Sequence, residues 1–118
     1  MTDLTGCAFC EIVAGRKSAK VLCVWSDAMA FLPLGPVTEG HALVVPRLHV
    51  RDAQEDPLVT GMTFARAAQL AGDAGKNFSF NLITSSGADA TQSVFHLHVH
   101  LVPRRENDGL ALPWGAKR

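Results

Sequence analysis

The sequence has no net charge, no long apolar run and few cysteines, and each lack removes a class of protein. Eleven Lys+Arg balance eleven Asp+Glu, so the electrostatic footprint of a nonspecific nucleic-acid or polybasic membrane binder is missing. No apolar stretch approaches the roughly 18 residues of a membrane span. The start, Met1-Thr2-Asp3-Leu4-Thr5-Gly6, has neither a basic segment nor an apolar core of the secretory kind, so a cytoplasmic protein is expected. Three cysteines, Cys7, Cys10 and Cys23, are an odd number and argue against a disulfide framework. Repeats, low-complexity tracts and linkers are also missing. What remains is 118 residues, 47% hydrophobic and 19% charged. That composition is globular, and the length suits one domain, 1–118, able to fold without staples.

Local patterning points to α+β. Residues 7–13 space Phe9, Ile12 and Val13 for one buried face of a short helix, with Gly15 as its stop. Apolar runs at 20–25 and 28–32, separated by Ser26-Asp27, predict a hairpin, and 42–45 a third strand. Asp56-Pro57 reads as an N-cap followed by proline at the first helical position. The helix it opens is expected to run to about Gly72 and to bury Leu58, Met62, Ala65 and Leu70, with Gly72 and Gly75 as candidate terminators. Two more strands are expected at 78–83 and 94–102. Strands joined by short turns with one main helix indicate an antiparallel sheet.

Three of the five histidines fall in Phe95-His96-Leu97-His98-Val99-His100-Leu101-Val102-Pro103. Side chains alternate faces along a strand, so His96, His98 and His100 share one face and Leu97, Val99 and Leu101 the other. A surface stripe, a satisfied core row and a metal comb are the bland alternatives. Strict alternation inside an otherwise apolar strand favours a functional row. Neutral imidazole can be a nucleophile, proton shuttle or ligand. Thr91-Gln92-Ser93 places hydroxyl and amide donors beside the row, which suits an anionic, phosphoryl-type transition state.

The run from Gln92 to Arg104 resembles the signature of the histidine triad (HIT) family. Cys7-Ala8-Phe9-Cys10-Glu11-Ile12-Val13-Ala14-Gly15, the segment Asp27-Ala28-Met29-Ala30-Phe31-Leu32, and Gly40-His41-Ala42-Leu43-Val44-Val45-Pro46-Arg47-Leu48-His49 fit the same family in the same order. The likeness covers about 7–105 and leaves 106–118 as a tail. It implies a homodimer whose protomers each carry a five-stranded antiparallel sheet, one main helix and a short N-terminal helix. It also implies hydrolases or transferases acting at the α-phosphate of a nucleotide conjugate, such as a phosphoramidate or a dinucleoside polyphosphate. By resemblance, His98 is the nucleophile that becomes transiently nucleotidylated. His100 contacts phosphate oxygens and helps the leaving group, and His96 supports the nucleophile or ligates zinc. Ser93 lies beside the scissile bond, with Gln92 its neighbour in the phosphate loop.

Cys7 and Cys10 form a C-x-x-C pair, which alone fits zinc, redox chemistry or two buried thiols. No thioredoxin-like context supports the redox reading. His49 and His96 complete a candidate Cys2His2 set for a structural zinc, a pattern that resembles many bacterial HIT proteins; the alternative is two buried thiols and a satisfied His49. Cys23 reads as a core thiol, His41 as a structural hydrogen-bond partner in preference to a catalyst, and Arg104-Arg105 as a solvated basic edge or, alternatively, a pair that steers phosphate. Trp114 either reaches a neighbouring subunit's site or caps an apolar patch.

The chain also departs from the family. Pro33-Leu34-Gly35 stands where an Asp or Asn usually holds ribose hydroxyls, and Ser85 where Asn or Gln is common. Thr91 replaces a glycine whose backbone approaches phosphate. Asn81 is a substitute nucleotide contact or a satisfied strand residue. The expected function is therefore a nucleotide hydrolase or transferase. A nucleotide-binding regulatory module with vestigial catalysis is the alternative, and a zinc-stabilised scaffold the third.

Overall fold

The structure, a computed structural model, describes residues 6–114. Helix α1 (Ala8–Val13) is opened by Cys7, whose Sγ accepts the Cys10 backbone N–H, and it ends at Gly15 with φ +78°. The expected hairpin follows as β1 (Val21–Val24) and β2 (Ala28–Phe31), then β3 (Ala42–Pro46). Helix α2 (Pro57–Ala74) begins where the sequence placed it, because the Asp56 carboxylate accepts the N–H groups of Leu58 and Val59. Strands β4 (Ser79–Ile83) and β5 (Val99–Arg104) close the set. The five strands form one antiparallel sheet in the order β1-β2-β3-β5-β4.

The two faces of the sheet have different tasks. Ala30, Val44 and Val99 pack with Ala67 of α2, and Ala42 and Leu101 pack with Ala71. Met29, Phe31, Leu43 and Val45 face the other way and enclose Phe9 of α1. His100 pairs with Leu43 across β3 and β5, so the imidazole row lies on the face opposite α2. Gly40 lets the chain enter β3 beneath β5. Its φ is +87°, and a Cβ there would stand 3.1 Å from Cγ of Pro103, so two constraints exclude a side chain.

Two expectations are corrected. Helix α2 presents its small residues, Thr63, Ala67 and Ala71, to the sheet. Leu58 is 87% exposed, Ala65 is exposed and Met62 only half-buried. The 4-residue spacing of small side chains lets the helix approach the sheet closely, which the bulkier stripe would not. Of the two candidate terminators, the helix passes Gly72 and ends at Gly75. The last strand starts at Val99 and not at 94. Residues 94–96 bend, and Leu97 donates its N–H to Val50 O at 2.6 Å.

Candidate active site

The two C-terminal histidines of the row are held in opposite protonation patterns. A carbonyl can only accept, so His98 Nδ1, 2.8 Å from His96 O, must carry its proton there. In the neutral ring Nε2 is then a bare lone pair. Burial pushes the His98 pKa down, which keeps it neutral near pH 7. Its ring packs edge-to-face on Phe9, with centroids 5.1 Å apart. Thr84 Oγ1 donates to its carbonyl at 2.7 Å.

His100 is set the other way by a relay. The Val37 N–H donates to His41 Nδ1 at 3.1 Å, so the neutral His41 ring carries its proton on Nε2. That nitrogen lies 2.9 Å from His100 Nδ1 and donates to it. His100 therefore keeps its own proton on Nε2. The sequence reading of His41 as a hydrogen-bond partner is matched here, and the partner is the third histidine of the row. The His98 and His100 rings are 5.1 Å apart. A bare nitrogen and an N–H donor thus sit side by side on one face.

Burial lowers both members of the relay, His41 and His100, the latter to about 4. His100 takes a proton in the unfolded chain below about 6.5 but in the folded chain only near 4. Folding stability should therefore be full above about pH 6.5 and fall progressively towards pH 4. Urea unfolding at a series of pH values checks this. A midpoint constant from about pH 7 to pH 5 would contradict the neutral relay.

A cavity of about 460 Å³ opens beside His41 and His100 and includes Asn81, Ser85 and Thr91. Ser93 lies elsewhere, in a recess with Cys7, Ala8 and Phe95. Gln92 is buried, and its amide is spent on backbone. Oε1 accepts the Gly87 N–H at 2.8 Å, and Nε2 donates to Arg51 O and Val94 O at 2.8 and 3.1 Å. It therefore pins the loop 87–92. Thr91 in that loop has φ +73°, a conformation that costs a β-branched residue roughly 1–2 kcal/mol. Glycine would adopt it freely.

His96 turns its side chain to a different task. Its Nε2 donates to Pro46 O at 2.9 Å, which leaves Nδ1 bare. That atom lies 3.4 Å from both Cys7 Sγ and Cys10 Sγ and 3.2 Å from His49 Nδ1. Cys10 Sγ is 3.2 Å from His49 Nδ1, and all four ligand atoms lie within 4.8 Å of one another. Burial and the neighbouring Cys7 push the Cys10 thiol up to about 12. Among the described residues this is the cluster that could hold a metal ion.

Arg104 is not the solvated edge expected for it. It is partly buried and ion-paired to Asp108 at 2.8 Å, and it donates to Asn81 Oδ1 at 2.7 Å. Asn81 is thus a bonded strand residue that also borders the cavity. No sequence spacing announced the Asp108 pairing. Trp114 is 60% exposed.

Comparison with known proteins agrees with this geometry. A family model described as the HIT domain matches residues 14–107. The adenosine 5'-monophosphoramidase HNT1 of Saccharomyces cerevisiae is 35% identical over 115 residues, covering 94% of this chain and 71% of that protein. The adenylylsulfatase HINT3 of Arabidopsis thaliana is 33% identical over 109 residues, covering 88% of this chain but only 55% of that longer protein. The crystal structure of a HIT family protein from Bacillus anthracis superposes with a TM-score of 0.83 at 35% identity, covering 93% of this chain and 82% of that one. With its triad, its sheet order and a family match across most of its length, the chain belongs to the HIT family.

Proposed function

We propose that the chain is a nucleotide hydrolase or transferase that cleaves at the α-phosphorus of a nucleotide conjugate through a covalent nucleotidyl-His98. The observation that carries this reading is the opposed pair of tautomers, a bare His98 Nε2 beside a protonated His100 Nε2. The His98 lone pair attacks phosphorus, and a P–N(His98) bond forms as the bond to the leaving group breaks. The departing atom takes the electron pair of that bond and a proton that solvent supplies through His100 Nε2, so that His100 ends as a neutral imidazole. Water then attacks the phosphorus and returns a proton to solvent by the same route, and the P–N(His98) bond breaks to release the nucleoside monophosphate and free imidazole. One difficult displacement becomes two easier ones.

His41 acts through His100 in this scheme. Replacing it with alanine leaves His100 Nδ1 unpaired and lets the ring take the other tautomer, with no proton on Nε2. Turnover should fall by roughly 10²-fold, the range of a lost general acid. Slow substrates with poor leaving groups should suffer most. Equal turnover in His41→Ala and parent protein would contradict the relay.

The Cys7, Cys10, His49 and His96 cluster fits zinc. A tetrahedron with Zn–N and Zn–S bonds of about 2.0–2.1 and 2.3 Å has edges of about 3.3–3.8 Å, near the 3.2–3.4 Å separations here. A closed four-ligand site has no open position for water, so zinc would supply stability and not chemistry. A homodimer is part of the same proposal. Leu58 on α2 and Phe80 on the edge strand β4 are 87% and 39% exposed, apolar surface that a second copy can cover. Among the described residues no helix is long and apolar enough to cross a membrane.

The test is product analysis with a panel of conjugates: an adenosine phosphoramidate, adenylyl sulfate and a dinucleoside polyphosphate. Stoichiometric nucleoside monophosphate and free leaving group from at least one of them is expected. Binding without cleavage of any would overturn the enzyme reading in favour of a binding module.

A further inference from the structure

His98 stands just outside the ladder of its own strand. Strand β3 pairs with β5 as far as Val44 and Val99, and β4 pairs with it as far as Ile83 and His100. His98 lies one residue before Val99, in the irregular stretch that precedes β5. A strand holds its side chains rigidly because its neighbours hold its peptide groups. That support ends short of His98 on both sides, so a ring that must aim at phosphorus needs other fastenings.

Three hydrogen bonds supply them. The Leu97 N–H donates to Val50 O at 2.6 Å, which fixes the backbone ahead of His98. The His98 ring donates from Nδ1 to His96 O at 2.8 Å, which sets the ring against its own chain. Thr84 Oγ1 donates to His98 O at 2.7 Å, which fixes the peptide that follows and so the direction in which Cα carries the imidazole. The first bond is backbone only and the second stays within the row. Of the three, the last alone comes from a side chain of another segment.

Thr84 suits this task. It is the first residue after β4 (Ser79–Ile83) and is half-buried. Its branched β-carbon leaves few choices of χ1, so the hydroxyl is set before anything binds. Without it, the His98 carbonyl would have to turn to find another donor. The next residue, Ser85, borders the cavity beside His100, so two roles for Thr84 must be told apart. A residue that shapes the loop acts on substrate binding, and one that holds His98 acts on the rate of attack.

We infer that Thr84 is a positioning residue for the covalent step, its hydroxyl holding the His98 peptide so that Nε2 meets phosphorus in line with the leaving group. The inference rests on the nucleotidyl-His98 reading for its reaction, and it adds a residue outside the histidine row on which that reaction depends. Displacement at phosphorus needs the entering and leaving atoms nearly in line, so a small swing of the ring slows attack while substrate still binds.

Two substitutions test it. Thr84→Val keeps the branching and removes the donor, and Thr84→Ser keeps the donor. With an adenosine phosphoramidate, Thr84→Val should lower kcat about five- to tenfold, the scale of one hydrogen bond, with KM within about twofold. Thr84→Ser should recover kcat to within about twofold of the parent. A serine variant as slow as the valine variant, or a loss carried by KM with kcat unchanged, would overturn the inference.

A second readout does not depend on turnover. With 13C- and 15N-labelled histidine, the His98 carbonyl signal should move in Thr84→Val, the His98 ring nitrogens should move with it, and both should return in Thr84→Ser. A carbonyl or a ring that stays in place in Thr84→Val would sink the inference whatever the rates. Signals that move as expected in a chain that cleaves no conjugate would leave Thr84 as the residue that holds His98, and would remove the covalent reading instead.

Discussion

His98→Ala should abolish turnover of every conjugate that the parent cleaves, by about 10⁴-fold or more, as the loss of a covalent nucleophile does elsewhere. The protein should still fold. The change leaves the His96 carbonyl without its partner and a small gap beside Phe9, a cost of about 1–3 kcal/mol that does not rise to unfolding. His100→Ala should cost less, about 10²–10³-fold, because it removes a proton donor and not the attacking atom. The two variants should also differ in kind. His100→Ala should retain more activity on substrates whose leaving group needs no proton, and His98→Ala should show no such rescue. Steady-state rates with a good and a poor leaving group check both. Near-normal hydrolysis by His98→Ala would contradict the nucleophile assignment.

The second large effect lies at the metal cluster. Protein purified without chelators should contain about one zinc per chain, and Cys7→Ser should lower that content sharply. Two sulfurs and two imidazole nitrogens, with Cys10 and His96 buried, lie within 4.8 Å of one another, an arrangement that a bound cation would stabilise. Loss of the ion should therefore lower stability by on the order of 3 kcal/mol or more, a fall in Tm above about 10 °C for a domain of this size. Cys10→Ser should be at least as severe, since Cys10 is the more buried thiol. The damage should reach the active site along a short path. His96 Nδ1 faces the cluster while the His96 carbonyl orients His98, so a mispositioned His96 also misdirects the nucleophile. Elemental analysis with thermal melts of the parent and both variants decides the matter. A parent protein free of metal and as stable as its serine variants would contradict the zinc site.

Much of this architecture was legible because it is written in local chemistry. Alternation put Val99 and Leu101 on the core side and left the imidazoles together on the other. Asp56-Pro57 marked the start of α2 to the residue, and Ser26-Asp27 marked the turn between β1 and β2. The gathering of Cys7, Cys10, His49 and His96 was readable because few residue types can build a cluster that could hold a metal ion. What escaped the sequence depends on tertiary contact. Helix α2 buries Thr63, Ala67 and Ala71 because the sheet needs a close approach, a preference that hydrophobicity alone does not encode. Strand β5 starts late because the Leu97 N–H is taken by Val50, 47 residues away. Gln92 looked like a phosphate-loop donor from its neighbours, yet both its amide hydrogens serve the backbone. Thr91 shows why glycine suits its position, since its φ of +73° is one that glycine adopts without strain. The Arg104–Asp108 ion pair had no signal, because a doublet of arginines reads as solvated until the turn that returns Asp108 is seen.

Trapping the covalent intermediate tests the mechanism most directly. The parent protein, mixed with excess phosphoramidate conjugate and quenched within one turnover under conditions that preserve P–N bonds, should gain the mass of one nucleoside monophosphate per chain. Peptide mapping should place that mass on His98, and the His98→Ala protein should gain none. The same mass on His96, on His100 or on a hydroxyl of Ser85, Thr91 or Ser93, or rapid turnover with no adduct at all, would contradict the opposed-tautomer mechanism.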